Sequence, residues 1–472
     1  MNTMPLAGVR VLELARVLAG PWAGQLLADL GAEVIKIERP GAGDDTRAWG
    51  PPFVKARDGG TLDSAYYHAT NRGKRSVVAD FETPAGQDLV RALAREADVV
   101  IENFKLGGLK PFGLDYASLQ AINPRLVYCS ITGFGQTGPY APRPGYDFLI
   151  QALGGIMHVT GEPAREPMKI GVAFADIFTG LYAVIAIEAA LLERARSGLG
   201  QHIDMSLLDV MVGVLANQAL NYLVSGKSPN RMGNAHPNIV PYQVFPTSDG
   251  HIVIAVGNDG QFLRLCEALA LPEIAADPRY QSNAGRVAAR TELVAGIAAR
   301  TSGMPRAELL SALEKAGVPT APIHDLAEVF ADPQVIARAM QLALPAPDAA
   351  AGAIPGVRTP ISFSRTPLSY EQPSPALGAD TEALLADFNA GKPTFSTLML
   401  QLMQDAWVYG STELGENAIR SGALLVRILQ SPGKYLPSDV PALDTIPKDD
   451  LRKNLGTIAG ASGEAARLAS TA

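Results

Sequence analysis

Apolar positions in the first third of the chain follow two alternating rhythms. Short runs rich in β-branched residues at 9–14 (VRVLEL), 34–37 (VIKI), 76–79, 99–101 and 126–130 (LVYCS) predict strands. Helical stretches separate them. Residues 20–31 carry Pro21 near the start and Gly31 at the end, and residues 83–96 carry Pro84 in the first turn. This alternation predicts an α/β fold with a doubly wound, Rossmann-like parallel sheet.

A different pattern begins at Asp176. Residues 177–196 (IFTGLYAVIAIEAALLERAR) are apolar almost all round until Glu193 and Arg194, which predicts a buried helix of four or five turns. Asp176 stands where the N-cap of that helix would be, ready to accept its first free N–H groups. A strand at 202–207 and one long helix at 208–224 follow. Residues 242–246 and 251–256 then read as paired strands around a turn containing Asp249-Gly250. Helices are expected at 261–269, 290–300 and 306–316, and the Pro- and Ala-rich stretch 340–376 is expected to run extended. The chain is thus divided into a large domain (1–227), a smaller α+β domain (228–325), a return to the large domain (326–388) and an all-α segment (389–472).

Composition narrows the function. Of 472 residues, 47% are hydrophobic and 18% charged, which describes a globular protein. The net charge of −7 with no basic block argues against nucleic acid as a partner. Cys129 and Cys266 are the two cysteines and lack ligand-spaced partners, so neither a disulfide framework nor a metal site is expected. With no secretory pattern at the N-terminus and no uninterrupted apolar stretch of about 18 residues, a cytoplasmic protein with no membrane partner is expected.

Several local features carry candidate chemistry. A carboxylate at a helix N-terminus is stabilised as an anion, and apolar neighbours that strip its water make it a better nucleophile. ENF (102–104) follows a predicted strand, where open α/β sheets place ligand contacts. ITGFGQTGPY (131–140) is a glycine-rich loop after another strand. GNDG (257–260) follows a third and has the composition of a lid or a hairpin exit.

Taken in order, these pieces resemble the class III CoA-transferases. The matching stretches are GVRVLELARVLAGPWAGQLLADLGAEVIKIERPGAGDDTR, NRGKRSV, ENF, GLDYASL, NPRLVYCSITGFGQTGPYAPRPGYD, KIGVAFADIFTG, GQHIDMSLLD, GNAHPNIVPYQVF and GNDGQF, spanning residues 4–388. The likeness is greatest to members acting on dicarboxylate CoA esters such as succinyl-CoA. It implies that Asp176 is the acyl-carrying nucleophile, that coenzyme A enters as the acyl-CoA substrate without a metal, and that the enzyme is an interlocked homodimer. It places CoA contacts at Arg16, Val17, Leu18, Arg39, Asn103, Phe104 and Tyr146, with Lys74, Arg75 and Lys110 as further cations. It assigns Trp49 and His236 to the acyl pocket and Gly257, Asn258, Asp259 and Gly260 to a mobile lid. Pro111 and Pro144 stand where many relatives carry basic residues, with Lys110 and Arg143 beside them. The α-methylacyl-CoA racemases are the rival within the fold. They use a His in a GHD motif, whereas this chain has GYD, and a phenol is a poor base at neutral pH.

Residues 394–472 resemble instead half of the N-terminal domain of Clp/Hsp100 unfoldases, with no phosphate-binding loop. A peptide-binding role for 389–472 is the expectation of a different class.

Overall fold

The computed structural model describes residues 4–390 and Ile428. The expected helices of the Clp-like segment, and any peptide binding by it, lie outside the described residues.

Strands β1 (Arg10–Glu13), β2 (Glu33–Glu38), β5 (Lys74–Val78), β6 (Val99–Glu102), β7 (Val127–Thr132) and β8 (His202–Ser206) form one sheet. Its order is β5-β2-β1-β6-β7-β8 and every pairing is parallel. Strands β3 (Phe53–Lys55) and β4 (Thr61–Ser64) form a separate hairpin. The chain builds outward from β1 to β5, then returns to β6 on the other side of β1. The strand order therefore reverses between β1 and β6, and open α/β sheets bind ligands in the crevice beyond that point. The predicted α/β class holds because strands buried on both faces read as continuous apolar runs: Val99, Val100, Ile101, Val127 and Cys129 are fully buried.

The long apolar helix runs from Phe174 to Ser197, over six turns, and starts earlier than its pattern suggested. Ala173 takes the cap position, so Asp176 lies inside the first turn and does not cap the helix. Nor is the helix buried all round. Ala183, Val184, Ile187 and Ala190 face the core, while Tyr182, Ile185 and Leu192 are exposed. Its length and composition also suit a bilayer span, yet it packs along the Ala19–Asp29 helix and against β7 and β8.

The helix expected at 208–224 is two helices, Leu207–Gly213 and Ala216–Ser225, bent by 73°. Ala216 at φ 46° breaks the ladder between them, a backbone turn that an apolar pattern does not encode. Strands Tyr242–Thr247, Gly250–Ala255 and Thr320–Pro322 form a three-stranded antiparallel sheet with its own core around Phe245, Ile252, Phe262 and Leu309. The stretch expected to be extended contains a hairpin, Gln341–Pro345 with Ala353–Val357, which packs on Val54 and Leu62 of the β3–β4 hairpin.

Candidate active site

The crevice between β1 and β6 is closed by two main-chain segments that hold each other. The Arg16 N–H donates to Asn103 Oδ1 (3.0 Å), and Asn103 Nδ2 donates back to the Arg16 carbonyl (2.6 Å). Above this crossing lies a cleft of about 530 Å³. Arg16, Val17 and Leu18 form one wall, Asn103 and Phe104 a second, and Trp49, Tyr146 and Asp176 complete it. Eight candidate residues scattered over 160 positions thus meet in one place. Trp49 stands edge-on to Tyr66 at 5.4 Å.

Asp176 is half-buried in this wall. Burial, and secondarily the Asp147 carboxylate, push its carboxyl up to about 7. Asp147 is the residue that caps the helix: its Oδ1 accepts the N–H groups of Ala175 (2.8 Å) and Asp176 (3.3 Å). Fully buried Gln151 steadies it by donating to Asp147 Oδ2 (2.7 Å), and Gln151 Oε1 accepts the Ile170 N–H (2.9 Å). The Asp176 carboxylate therefore sits on a helix start fixed from the side by a second acid.

The glycine-rich loop reaches the cleft by close backbone contact. A Cβ on Gly133 would lie 2.5 Å from the Gly145 Cα, and one on Gly145 would strike Gly133 in return. Only glycine fits at this crossing, and it delivers Tyr146 and Asp147 to the cleft.

Charge at the mouth is partly pre-paired. Arg16 and Arg39 both bind Asp45, at 2.8 and 2.5 Å. Arg39 lines a second cleft of about 270 Å³, which shares Arg16 and Phe104 with the first and is walled by Phe81 and Phe112. Arg143 and Lys105 also line the first cleft. Arg143 lies over the Tyr140 ring at 4.4 Å, so a cation is present beside Pro144 after all.

Other candidates stand elsewhere. Lys74 is fully buried and donates to Glu13, the Pro21 carbonyl and Asn71. Its NRGKRS context reads as a solvated turn, but the Glu13 carboxylate beneath the sheet surface draws the ammonium inward. Arg75 pairs with Glu33 at the start of β2 and with Asp380. Lys110 opens a short 3-10 turn, exposed and outside both clefts. His236 packs on Tyr242 at 5.2 Å and its Nδ1 accepts the Asn238 N–H.

Gly257–Gly260 does not line the Asp176 cleft and is not a loose loop. Asn258 caps the Asp259–Ala268 helix, Gly257 N–H donates to Gln261, and Asp259 pairs with buried Arg286 (2.7 Å). The two polar side chains between the glycines, Asn258 and Asp259, are the groups that fix it.

Sequence reasoning passed over Gln151 and Lys105, and gave no role to Glu102 within ENF or to Asp147 within GYD. Glu102 accepts the Phe104 N–H (2.8 Å), and burial pushes its carboxyl up to about 7. Asp147 had a readable signal, an acid opening the helical run DFLIQAL; Gln151 had none. Among the described residues, no cluster of His, Cys, Asp and Glu suited to a metal ion occurs.

The chain is 61% identical over 383 residues to the succinate–glutarate CoA-transferase of Agrobacterium fabrum, covering 81% of this chain and 95% of that one. It is 43% identical over 386 residues to the succinyl-CoA:glutarate CoA-transferase of Homo sapiens, covering 82% and 86%. The crystal structure of a CAIB/BAIF family protein from Brucella suis superimposes with TM-score 0.73 at 60% identity, over 82% of this chain and 100% of that one. A hypothetical protein from Mycobacterium tuberculosis gives 0.71 at 30% identity, over 81% and 99%. The family model of CoA-transferase family III matches residues 6–381, and the chain belongs to that family: it is a class III CoA-transferase that uses CoA thioesters as substrates.

Proposed function

We propose that this enzyme moves CoA from succinyl-CoA to a small dicarboxylic acid of the size of glutarate, with Asp176 as the acyl carrier. The observation that carries the reading is a half-buried, helix-borne carboxylate at the wall of a cleft rimmed by arginines. The relatives' names supply the substrate class.

The chemistry follows from the groups present. An Asp176 oxygen attacks the thioester carbonyl, the C–S bond breaks, and a mixed anhydride and CoA thiolate result. The thiolate attacks the aspartyl carbonyl and expels the first acid as its carboxylate, leaving an aspartyl-CoA thioester. The incoming carboxylate attacks that thioester and expels the thiolate. The thiolate then takes the new acyl carbon and frees Asp176. Each leaving group is a carboxylate or a thiolate, so no step needs a metal.

The two clefts, which share Arg16 and Phe104, together suit a ligand as long as CoA. The aromatic walls of the smaller one (Phe81, Phe104 and Phe112) offer faces for adenine. Arg16, Arg39 and Arg143 offer cations to its phosphates. Trp49, edge-on to Tyr66, is assigned to the acyl side. The homodimer is supported by apolar side chains that one subunit leaves in water: Ile185 is 60% exposed, Leu192 72%, Leu223 71% and Val224 84%. The reading is of a soluble enzyme of acyl-CoA metabolism.

Incubation with succinyl-CoA and a panel of dicarboxylates, followed by mass analysis of the CoA esters, tests it. Glutaryl-CoA or a near homologue is the expected product, with a CoA adduct on Asp176 in the intact protein. Exchange that survives in Asp176→Ala overturns the assignment.

A further inference from the structure

We infer that Asp44 is a positioning residue for the CoA ester, acting by holding the strained Val17 turn that walls the Asp176 cleft. The inference rests on the CoA-transferase reading of that cleft.

The turn between β1 and the Ala19–Asp29 helix is short, and Val17 within it has φ 73°. A β-branched residue occupies that region at a cost, and persists there only when its surroundings over-determine it. Two groups do so. Asn103 grips Arg16 through its amide and carbonyl. Asp44 grips Val17: the Val17 N–H donates to both carboxylate oxygens, each at 3.3 Å.

Asp44 is itself built as a fixed acceptor. It is 3% exposed. The Lys36 ammonium lies 2.9 Å from Oδ2, and Thr46 donates its N–H (3.0 Å) and hydroxyl (2.8 Å) to Oδ1. The Asp44 N–H is held in turn by Glu38 (2.8 Å). A buried carboxylate with this many partners does not swing, so the Val17 amide meets an acceptor that stays put. Asp176 is secured independently, by Asp147 and Gln151. Releasing Val17 therefore loosens the Arg16–Leu18 wall and weakens CoA binding, while the reacting carboxylate keeps its place.

A double-mutant cycle in the full chain tests this. Glycine adopts φ 73° without strain, so Val17→Gly removes the need for a tether. Asp44→Asn leaves the Val17 N–H one of its two acceptor oxygens and sets an amide N–H2 against the Lys36 ammonium, which displaces the side chain; it should raise KM for succinyl-CoA and the calorimetric dissociation constant for CoA about tenfold, with kcat within about twofold. In the Val17→Gly background the same change should raise them less than about threefold. A purely structural loss through Lys36 would be equal in both backgrounds, and equal effects, or a fall in kcat alone, overturn the inference. If Asp44→Asn does not fold, Val17→Gly decides: a melting temperature above that of the unmodified protein supports stored strain, and one equal or lower refutes it. Unmodified protein that binds no CoA refutes the underlying reading, whereas protein that binds CoA and shows additive effects refutes the tether alone.

Discussion

Asp147→Asn separates the two causes that raise Asp176. The substitution keeps an oxygen that can accept the Ala175 N–H and removes one negative charge beside Asp176. On the proposed mechanism Asp176 must be ionised to attack, so kcat/KM should rise with pH through a limb near its carboxyl, about 7. The full rise from 3.8 to about 7 corresponds to about 4 kcal/mol at ~1.36 kcal/mol per unit, an upper bound for a half-buried group. Burial is the larger cause, so most of that rise stays. The like charge is the smaller cause, so the limb should move toward acid by less than half of the rise from 3.8 to about 7, under about 1.6 units. Stability adds a second readout with a definite sign. Asp176 binds its proton more tightly folded than unfolded, so its contribution is lost as pH rises from 3.8 through about 7. Relief of the repulsion therefore acts above pH 7 and not at pH 4. A weakened cap costs up to about 1 kcal/mol at both. The difference in melting temperature between variant and parent should be more favourable at pH 8 than at pH 4. A limb that stays at its original pH, or moves toward alkali, refutes the electrostatic coupling.

The other predictions are simpler. Asp176→Ala should abolish exchange and CoA adduct formation, with a melting temperature at pH 8 no lower than the parent's; a large loss of stability would mean the carboxylate is structural. Gly145→Ala places a methyl group against Gly133, and should cost on the order of 1–3 kcal/mol and most of the activity, read by thermal melt and turnover. Lys74→Ala leaves Glu13 short of a buried partner and should lower stability by on the order of 3–5 kcal/mol with KM for succinyl-CoA unchanged. A raised KM at unchanged stability would return Lys74 to the substrate. Arg143→Ala should raise KM for CoA esters roughly tenfold and flatten its dependence on salt, and an unchanged salt slope would remove Arg143 from phosphate contact.

The parallel sheet was legible because its strands are buried on both faces and punctuated by helices of ordinary length. What failed was local geometry. The Asp176 helix begins at Phe174 because Asp147, 29 residues before Asp176, supplies the cap, and a cap donated from another element leaves no mark beside the helix it serves. The break at Ala216 and the hairpin at 341–357 are likewise set by packing. Within the site, residues that meet around the β1–β6 crevice were found through strand ends and motif likeness. The packing of Lys74 and Gly257–Gly260 was not legible, because a cation in a polar turn and a glycine pair look the same in sequence whether free or committed. The partners that commit them, Glu13 and Arg286, are 61 residues away in the first case and 27 in the second.

A carboxyl pushed up to about 7 looks at first like a defect in a nucleophile that must be an anion. On the proposed mechanism it serves the covalent stages. Burial penalises the free Asp176 anion but not the uncharged anhydride or thioester, so the site raises the empty enzyme toward its own intermediates. A glutarate or succinate carboxylate released to water suffers no such penalty. The first acid therefore leaves readily while CoA stays on the enzyme long enough to meet the second. On this account a polar replacement that hydrates the cleft, such as Leu18→Asn, lowers the Asp176 carboxyl toward 3.8 and depletes the aspartyl-CoA adduct at equilibrium with succinyl-CoA and free succinate. Intact-mass analysis reads that adduct directly. An adduct fraction that is unchanged, while the pH limb moves toward acid, would show that burial tunes the nucleophile alone and not the intermediate.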